Sequence, residues 1–293
     1  MAHKAGFVNI IGSPNVGKST LMNALVGEKV SIINAKAQTT RHRIMGIASG
    51  EDFQIVYSDT PGVLKPAYKL QEGMMSFVNQ AFQDADVFLF VTDIHEDKPQ
   101  VPEVLERLKK QSVPVFVLVN KIDLSDQEKV GARLDYWKEQ IPNAMVFGVS
   151  ALHKYNLDVL FDKILEKLPE SPAFFDKEEY TDKSLRFLVS EIIREKILRL
   201  YDKEIPYSCE VIVDSFKEEP EITRISAVIY VSRDSQKGII IGHQGKMIKK
   251  LGTLARKEME EMLNKKVFLE LFVKVMKNWR DDERHLKNFG YTN

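Results

Sequence analysis

Apolar positions in the first half of the chain fall in short runs separated by longer amphipathic stretches. Phe7–Ile11, Phe53–Tyr57, Val87–Val91, Val113–Val119 and Met145–Val149 are rich in valine, isoleucine and phenylalanine and show little polar alternation. Strands covered on both faces need such runs, because neither face meets water. Helical periodicity fills the gaps, for example over Pro102–Lys110, Gln127–Gln140 and Leu157–Leu168. Strands alternating with helices predict an α/β fold with a mostly parallel, doubly wound sheet, whose ligands bind beyond the carboxyl ends of the strands. The prolines at 169 and 172 and the charged residues through Lys183 then break the period, which marks a domain boundary. The expected division is a first domain over 1–172, a linker over 173–183 and a second domain over 184–293. Beyond the boundary the pattern predicts a helix over Ser184–Leu200 and strands over Ser208–Phe216 and Arg224–Val231. A strand-loop-helix segment over Gly238–Leu263, with Ile239–Ile241 read as the strand, and a last strand over Val267–Lys274 complete a smaller α+β unit.

Length and composition agree with two folded domains. At 293 residues the chain exceeds what one hydrophobic core usually spans, and 44% hydrophobic with 29% charged residues excludes a disordered chain. The 42 basic and 42 acidic side chains cancel overall, yet residues 231–293 hold 14 Lys/Arg against 8 Asp/Glu. A local basic excess points to a polyanionic partner for that region. Cys209 is the only cysteine, which rules out an intrachain disulfide and a cysteine-based zinc cluster and suits a reducing cytoplasm. No run approaches the ~18 apolar residues of a membrane span, so neither a signal peptide nor a transmembrane helix is expected.

The chemistry concentrates at the expected strand ends. Gly12, Ser13, Pro14, Asn15, Val16, Gly17, Lys18 and Ser19, followed by Thr20, match G-x-x-x-x-G-K-[ST] directly after the first apolar run and before a helical one. In such a loop the backbone N–H groups fold around phosphate oxygens, Lys18 reaches the β and γ phosphates, and Ser19 can ligate Mg²⁺. Asp59, Thr60, Pro61 and Gly62 follow the second run, Asn120, Lys121, Ile122 and Asp123 follow the fourth, and Ser150, Ala151 and Leu152 follow the fifth. Asp123 discriminates the base, because a carboxylate accepts two hydrogen bonds and guanine offers two donors on one edge where adenine does not. GTP is therefore favoured over ATP.

In the second domain, Ile241 leads into Gly242, His243, Gln244 and Gly245, and a helix begins with Lys246 and Lys249. A G-x-x-G loop at a helix start is the backbone clamp with which KH domains hold single-stranded nucleic acid. The other five histidines, His3, His42, His95, His153 and His285, lack metal spacing, and Asp281-Asp282 reads as helix surface. Arg41 and Arg43 read as surface residues rather than charge stabilisers.

Together with Thr39-Thr40-Arg41, these motifs resemble the translation-factor class of GTPases and the Era family in particular. The following type II KH pattern extends the resemblance to nearly the whole chain. The resemblance implies that Asp59 holds Mg²⁺ through water, that Gly62 senses the γ phosphate, and that one switch threonine, Thr40 in preference to Thr39, completes the metal shell. It implies that Lys121 packs along the base and that Ala151 offers it a backbone N–H. Lys18, Thr40, Gly62 and Asn15 are then the catalytic candidates, and Ser19, Thr40 and Asp59 the metal ligands. Val63 stands where many relatives carry a water-orienting glutamine. Asn15 is similar to an asparagine that binds K⁺ in GTPases with a hydrophobic replacement, and a plain turn residue is the alternative. His243 replaces a basic residue, so one phosphate contact is expected to be weaker.

The implied function is GTP hydrolysis to GDP during assembly of the small (30S) ribosomal subunit, with binding near the 3′ end of 16S ribosomal RNA. Peripheral association with the inner face of the cell membrane is also implied. The competing reading is an RNA-binding protein whose nucleotide domain is structural and does not hydrolyse. Lys18, Ser19 and Asp59 favour the enzyme, and Val63 is what keeps the alternative. Asp123 disfavours a metabolic NTPase or kinase.

Overall fold

The computed structural model describes residues 2–96 and 102–292. The chain forms two compact units. The first runs to Asp182 apart from Tyr68–Leu70, which cluster with the second, and the second continues from Lys183.

In the first unit the order is β1 (Lys4–Gly12), α1 (Lys18–Val26), β2 (Ile44–Ser49), β3 (Phe53–Asp59), α2 (Lys69–Ala81), β4 (Val87–Asp93), α3 (Pro102–Lys109), β5 (Val115–Asn120), α4 (Gln127–Gln140), β6 (Met145–Gly148) and α5 (Leu157–Lys167). The strands lie in the order β2-β3-β1-β4-β5-β6, parallel except for β2, which pairs antiparallel with β3. The chain moves from β1 outward to β3 and then back across β1 to β4. The topological switch point therefore lies at the carboxyl end of β1, where Gly12 begins the phosphate-loop motif. The central strands are buried on both faces, as their apolar runs require: Val8, Ile10, Phe88, Leu89, Phe116 and Val117 have no exposed surface.

The residues expected as a linker do not leave this unit. The buried Gln54 amide accepts from the N–H groups of Phe174 and Phe175 (2.7 and 2.9 Å). Ile47 N–H donates to Tyr180 O (2.9 Å), so the segment also covers the open edge of β2. Sheet edges expose unpaired backbone groups, and covering one with irregular chain satisfies them without any hydrophobic period.

Arg41 and Arg43 correct the surface reading, since both are buried. Arg43 donates from Nε to Ser58 Oγ (2.6 Å), from Nη2 to Asn9 Oδ1 (3.2 Å) and through both Nη atoms to Asp84 (2.6 and 2.8 Å). It thereby ties the entrance of β2 to β1, β3 and the turn after α2.

The second unit contains α6 (Leu185–Leu200), β7 (Cys209–Glu218), β8 (Ile222–Val231), α7 (Asp234–Ile241), α8 (Lys246–Leu263), β9 (Lys266–Val275) and α9 (Glu283–Asn288). Its sheet is β7-β8-β9, with β7 antiparallel and β9 parallel to β8. The helices bury Ile193, Ile197, Ile240, Leu251, Ala255 and Met259 against the inner face of the sheet.

Ile239–Ile241 belongs to helix α7 and not to a strand. The helix is set upstream, where Gln236 Oε1 accepts from the N–H groups of Ser232 and Arg233 (3.0 and 3.1 Å). The helical phase then buries Ile240 completely and leaves Ile239 about half exposed. Tyr201 Oη donates to the Ile240 carbonyl (2.8 Å), satisfying an acceptor that the helix end leaves open.

Arg43→Met is expected to destabilise the first unit by about 2 kcal/mol, since Ser58 and Asn9 lose a buried donor while the partly exposed Asp84 recovers water. Urea unfolding followed by a probe in that unit should show a lower midpoint at unchanged slope. An unchanged midpoint would mean that the network is not stabilising.

Candidate functional site

The strand ends of the first unit surround a cavity of about 490 Å³. Pro14, Asn15, Gly17, Lys18, Ser19, Thr20, Thr39, Thr40, Gly62, Asn120, Lys121, Asp123, Ser150, Ala151 and Leu152 line it, together with Ile32, Ile33, Asn34, Ala35, Gln38 and Leu124, which belong to no motif. The remaining sequence candidates sit behind the wall. Thr60 is fully buried and donates to Ile10 O (2.7 Å), while Val16 and Pro61 are buried behind the loop. Ser13 turns its hydroxyl to Glu96, which also accepts from Thr92 (2.8 Å).

The loop takes its shape from residues that tolerate left-handed backbone. Asn15 (φ 66°) and Gly17 (φ 96°) both adopt it. A side chain on Gly17 would also collide with the Asn120 amide. Asn120 fastens the two halves of the site: its Nδ2 donates to Val16 O (2.8 Å), and its Oδ1 accepts from Ala151 N–H (3.0 Å). Lys121 reaches back to Asn15 O (2.7 Å) and pairs with Asp93 (2.9 Å), a partner invisible in the sequence.

Lys18 is buried, with Nζ donating to the carbonyls of Gly12 (3.1 Å) and Ser13 (2.8 Å). Burial pushes its pKa down to about 8, against the opposing pull of Asp59 and Glu96. Asp59, fully buried, accepts at Oδ2 from Ser19 (2.6 Å), Ser31 (2.9 Å) and Thr40 (3.1 Å), while its Oδ1 has no hydrogen-bond partner. Burial raises the Asp59 pKa, and Lys18 and the three hydroxyls work against that shift. Thr40 is the switch threonine that meets Ser19 (2.8 Å) and Asp59, whereas Thr39 donates to Lys36 O (2.6 Å). Ser31 lies in no motif, so nothing in the sequence singles it out. An all-oxygen set with one unpaired buried carboxylate oxygen suits a hard divalent cation.

At the far end Asp123 faces the cavity, with His153 Nε2 3.7 Å away. Val63 lies in the core with Ile11, Val78 and Phe90, so no side chain reaches the cavity from that position. Among the described residues no group of three or more His, Cys, Asp or Glu side chains forms a metal cluster.

In the second unit the glycine loop joins α7 to α8. Gly242 (φ 69°), Gln244 (φ 51°) and Gly245 (φ 74°) all have positive φ, and a Cβ on Gly242 would stand 2.7 Å from Met247 Cβ. His243, Gln244, Lys246 and Lys249 are exposed, and Ile241 is partly buried. Beside the loop lies a groove of about 340 Å³ lined by Ile248, Lys249, Gly252, Thr253, Arg256, Leu269 and Leu271. The motif located the loop. The groove's β9 wall, however, arises from tertiary pairing alone.

A glycine loop at the switch point, a cavity that ends at Asp123 and a separate helix-glycine-helix module fit a GTPase that carries a KH-type nucleic-acid-binding unit. Family models agree: the 50S ribosome-binding GTPase family matches residues 7–121, and the KH domain family matches residues 204–280. GTPase Era of Clostridium kluyveri is 44% identical over 291 residues, covering 98% of this chain and 99% of that protein. GTPase Era of Syntrophus aciditrophicus is 45% identical, covering 98% and 95%. Among solved structures, Era in complex with MgGDPNP and nucleotides 1506–1542 of 16S ribosomal RNA is similar with a TM-score of 0.95, at 38% identity over 99% of this chain and 100% of that one. An Aquifex aeolicus Era variant bound to GDP·AlF4− gives the same TM-score and coverage at 39% identity. The chain belongs to the Era family of GTPases.

Phosphate brought against Lys18 favours its charged form and raises its pKa from about 8. Nucleotide binding at pH 8 should therefore take up about half a proton per site, and much less at pH 6.5, where Lys18 is already charged. Calorimetry in buffers of different ionisation enthalpy measures this directly. Uptake should vanish in Lys18→Arg, and equal uptake in that variant would assign the proton to another group.

Proposed function

We propose that this chain binds and hydrolyses GTP as a timing device in small-subunit assembly, while its KH unit holds single-stranded RNA near the 3′ end of 16S ribosomal RNA. The observation that carries the reading is the buried Asp59 carboxylate tied to Ser19 and Thr40, which line a cavity that ends at Asp123, in one chain with the glycine loop at Gly242–Gly245. Similarity to the Era structure solved with MgGDPNP and nucleotides 1506–1542 of 16S ribosomal RNA supports the choice of partners.

Asp123 would accept the two donors of the guanine edge. Lys121, held by Asp93 and Asn15, would lie along the base, and Ala151 would donate its N–H. Lys18 would release the Gly12 and Ser13 carbonyls for the β and γ phosphates. Mg²⁺ would be held at Ser19, Thr40 and Asp59, where it would neutralise phosphate charge. Gly62 lines the same cavity as Lys18, so its N–H would report the third phosphate.

With Val63 in the core, water is positioned by other means. Asn15 lines the cavity and offers a side-chain oxygen to a monovalent cation such as K⁺, whose charge would stabilise the transition state. Association with the inner face of the cell membrane would be peripheral, because among the described residues no helix is long and apolar enough to cross a bilayer.

Asp123→Asn places a donor against guanine's donors and should weaken GTP binding by orders of magnitude while xanthine nucleotides regain affinity. An equilibrium titration in which the variant binds GTP like the parent would refute the assignment. GTP turnover should run faster in KCl than in NaCl at matched ionic strength, and Asn15→Ala should abolish the difference. Equal parental rates in the two salts would remove the cation from the mechanism. An RNA fragment from the 3′ end of 16S ribosomal RNA should change the turnover of the parent, which a structural, non-hydrolysing domain would not allow.

A further inference from the structure

The two faces of the β7-β8-β9 sheet are treated differently. Its inner face is closed by helices over Ile225, Ala227, Ile229, Val267 and Val273. Its outer face presents Lys266, Phe268, Glu270, Phe272 and Lys274 of β9, in register with Ile222, Arg224, Ser226, Val228 and Tyr230 of β8. The chain's own C-terminal segment covers one end of this outer face. Tyr230 packs against Phe289 with ring centroids 5.6 Å apart, and Tyr291 Oη donates to Glu210 (2.6 Å). Beyond that cover, Phe268 is 44% and Phe272 51% exposed.

A single exposed phenylalanine needs no explanation, but two on one face of one strand, about 13 Å apart at the usual rise per residue, form a surface. The groove beside the glycine loop lies on the opposite face of the same edge strand, where Leu269 and Leu271 pack toward the helices. Leu269 and Leu271 line that groove, and Phe268 and Phe272 flank them on the same strand. Because β9 is the edge of its sheet, an RNA strand leaving the groove over that edge meets the two rings next. The surrounding charge suits a polyanion. Lys217, Arg224, Lys266 and Lys274 stand on this face against Glu270, Glu219 and Glu210; Arg224 pairs with Glu219, and its guanidinium lies 5.4 Å from the Phe268 centroid.

We propose that Phe268 and Phe272 are a base-stacking platform for single-stranded RNA flanking the nucleotides held in the groove, which extends the RNA site onto the outer face of the sheet. Stacking on aromatic rings tolerates any base, since every base has a π face. The platform would therefore add affinity and length without adding sequence readout. The inference rests on the reading that the groove itself holds RNA.

The test compares two unstructured oligoribonucleotides from the 3′-terminal 16S sequence on the full chain. One of about five nucleotides fills a groove that clamps about four, and one of about twelve extends past it. Phe268→Ala and Phe272→Ala should each weaken the longer RNA about five- to a hundredfold and leave the shorter RNA and GTP unaffected. Phe272→Trp should keep the affinity, and its emission should be quenched by the longer RNA only. A Gly242→Asp, Gly245→Asp variant that keeps its GTP affinity should lose both RNAs. If it loses neither, the groove reading fails whatever the phenylalanine variants do. Unchanged affinity for the longer RNA in both alanine variants overturns the platform, as does an equal loss for the two lengths. A loss seen only against whole small subunits would assign the face to a protein and overturn it as well.

Discussion

The first unit is organised around a carboxylate that water cannot reach. Asp59 ends β3 beside Ile10 of β1, and its Oδ2 collects hydroxyls from the start of α1, from Ser31 and from Thr40. A buried carboxylate is tolerated only with such partners, and the arrangement still leaves Oδ1 unpaired. The segment between α1 and β2 is thus held by contacts to a group whose own charge depends on Lys18 and on whatever binds beside it. Under the proposed function, an occupant that drew on Asp59 would also change the hold on Ser31 and Thr40.

The base end is fixed by backbone contacts in a similar way. Asn120 commits both amide functions to backbone, bridging the Gly12–Ser19 loop to Ala151, so the two ends of the cavity keep a fixed spacing. Lys121, in left-handed backbone, adds a second bridge to Asn15. In the second unit the positive φ angles of Gly242, Gln244 and Gly245 shape the turn at the start of α8, where basic side chains follow. One chain thus carries two glycine turns with positive φ at a helix start, which the proposed function assigns to a nucleotide and to a polymer.

What the sequence makes legible is chemistry fixed by local geometry. The runs at Phe7–Ile11 and Val87–Val91 read as buried strands because both faces are covered, and Gly12–Ser19 reads as a phosphate cradle because its spacing serves one geometry. Contacts between distant residues leave no local trace. Ser31, Asp93 and Glu96 complete the site from positions outside any motif, and the burial of Arg43 follows from Asp84 and Asn9 lying opposite it. β2 escapes the hydrophobic pattern because it is a short edge strand whose cover comes from residues near Tyr180. Ile239–Ile241 misleads for a different reason: three β-branched residues in a row have no period, and the helix is decided by Gln236 before them.

If Asp59 couples the phosphates to the switch segment through a divalent cation, its carboxylate must set the magnesium dependence of nucleotide binding. The most direct test is a titration of a non-hydrolysable GTP analogue against the parent and Asp59→Asn over a magnesium series. The parent should bind more tightly as magnesium rises, and the variant should lose most of that response, by about tenfold or more, while keeping its magnesium-free affinity. A variant that follows the parent's magnesium curve would contradict the account.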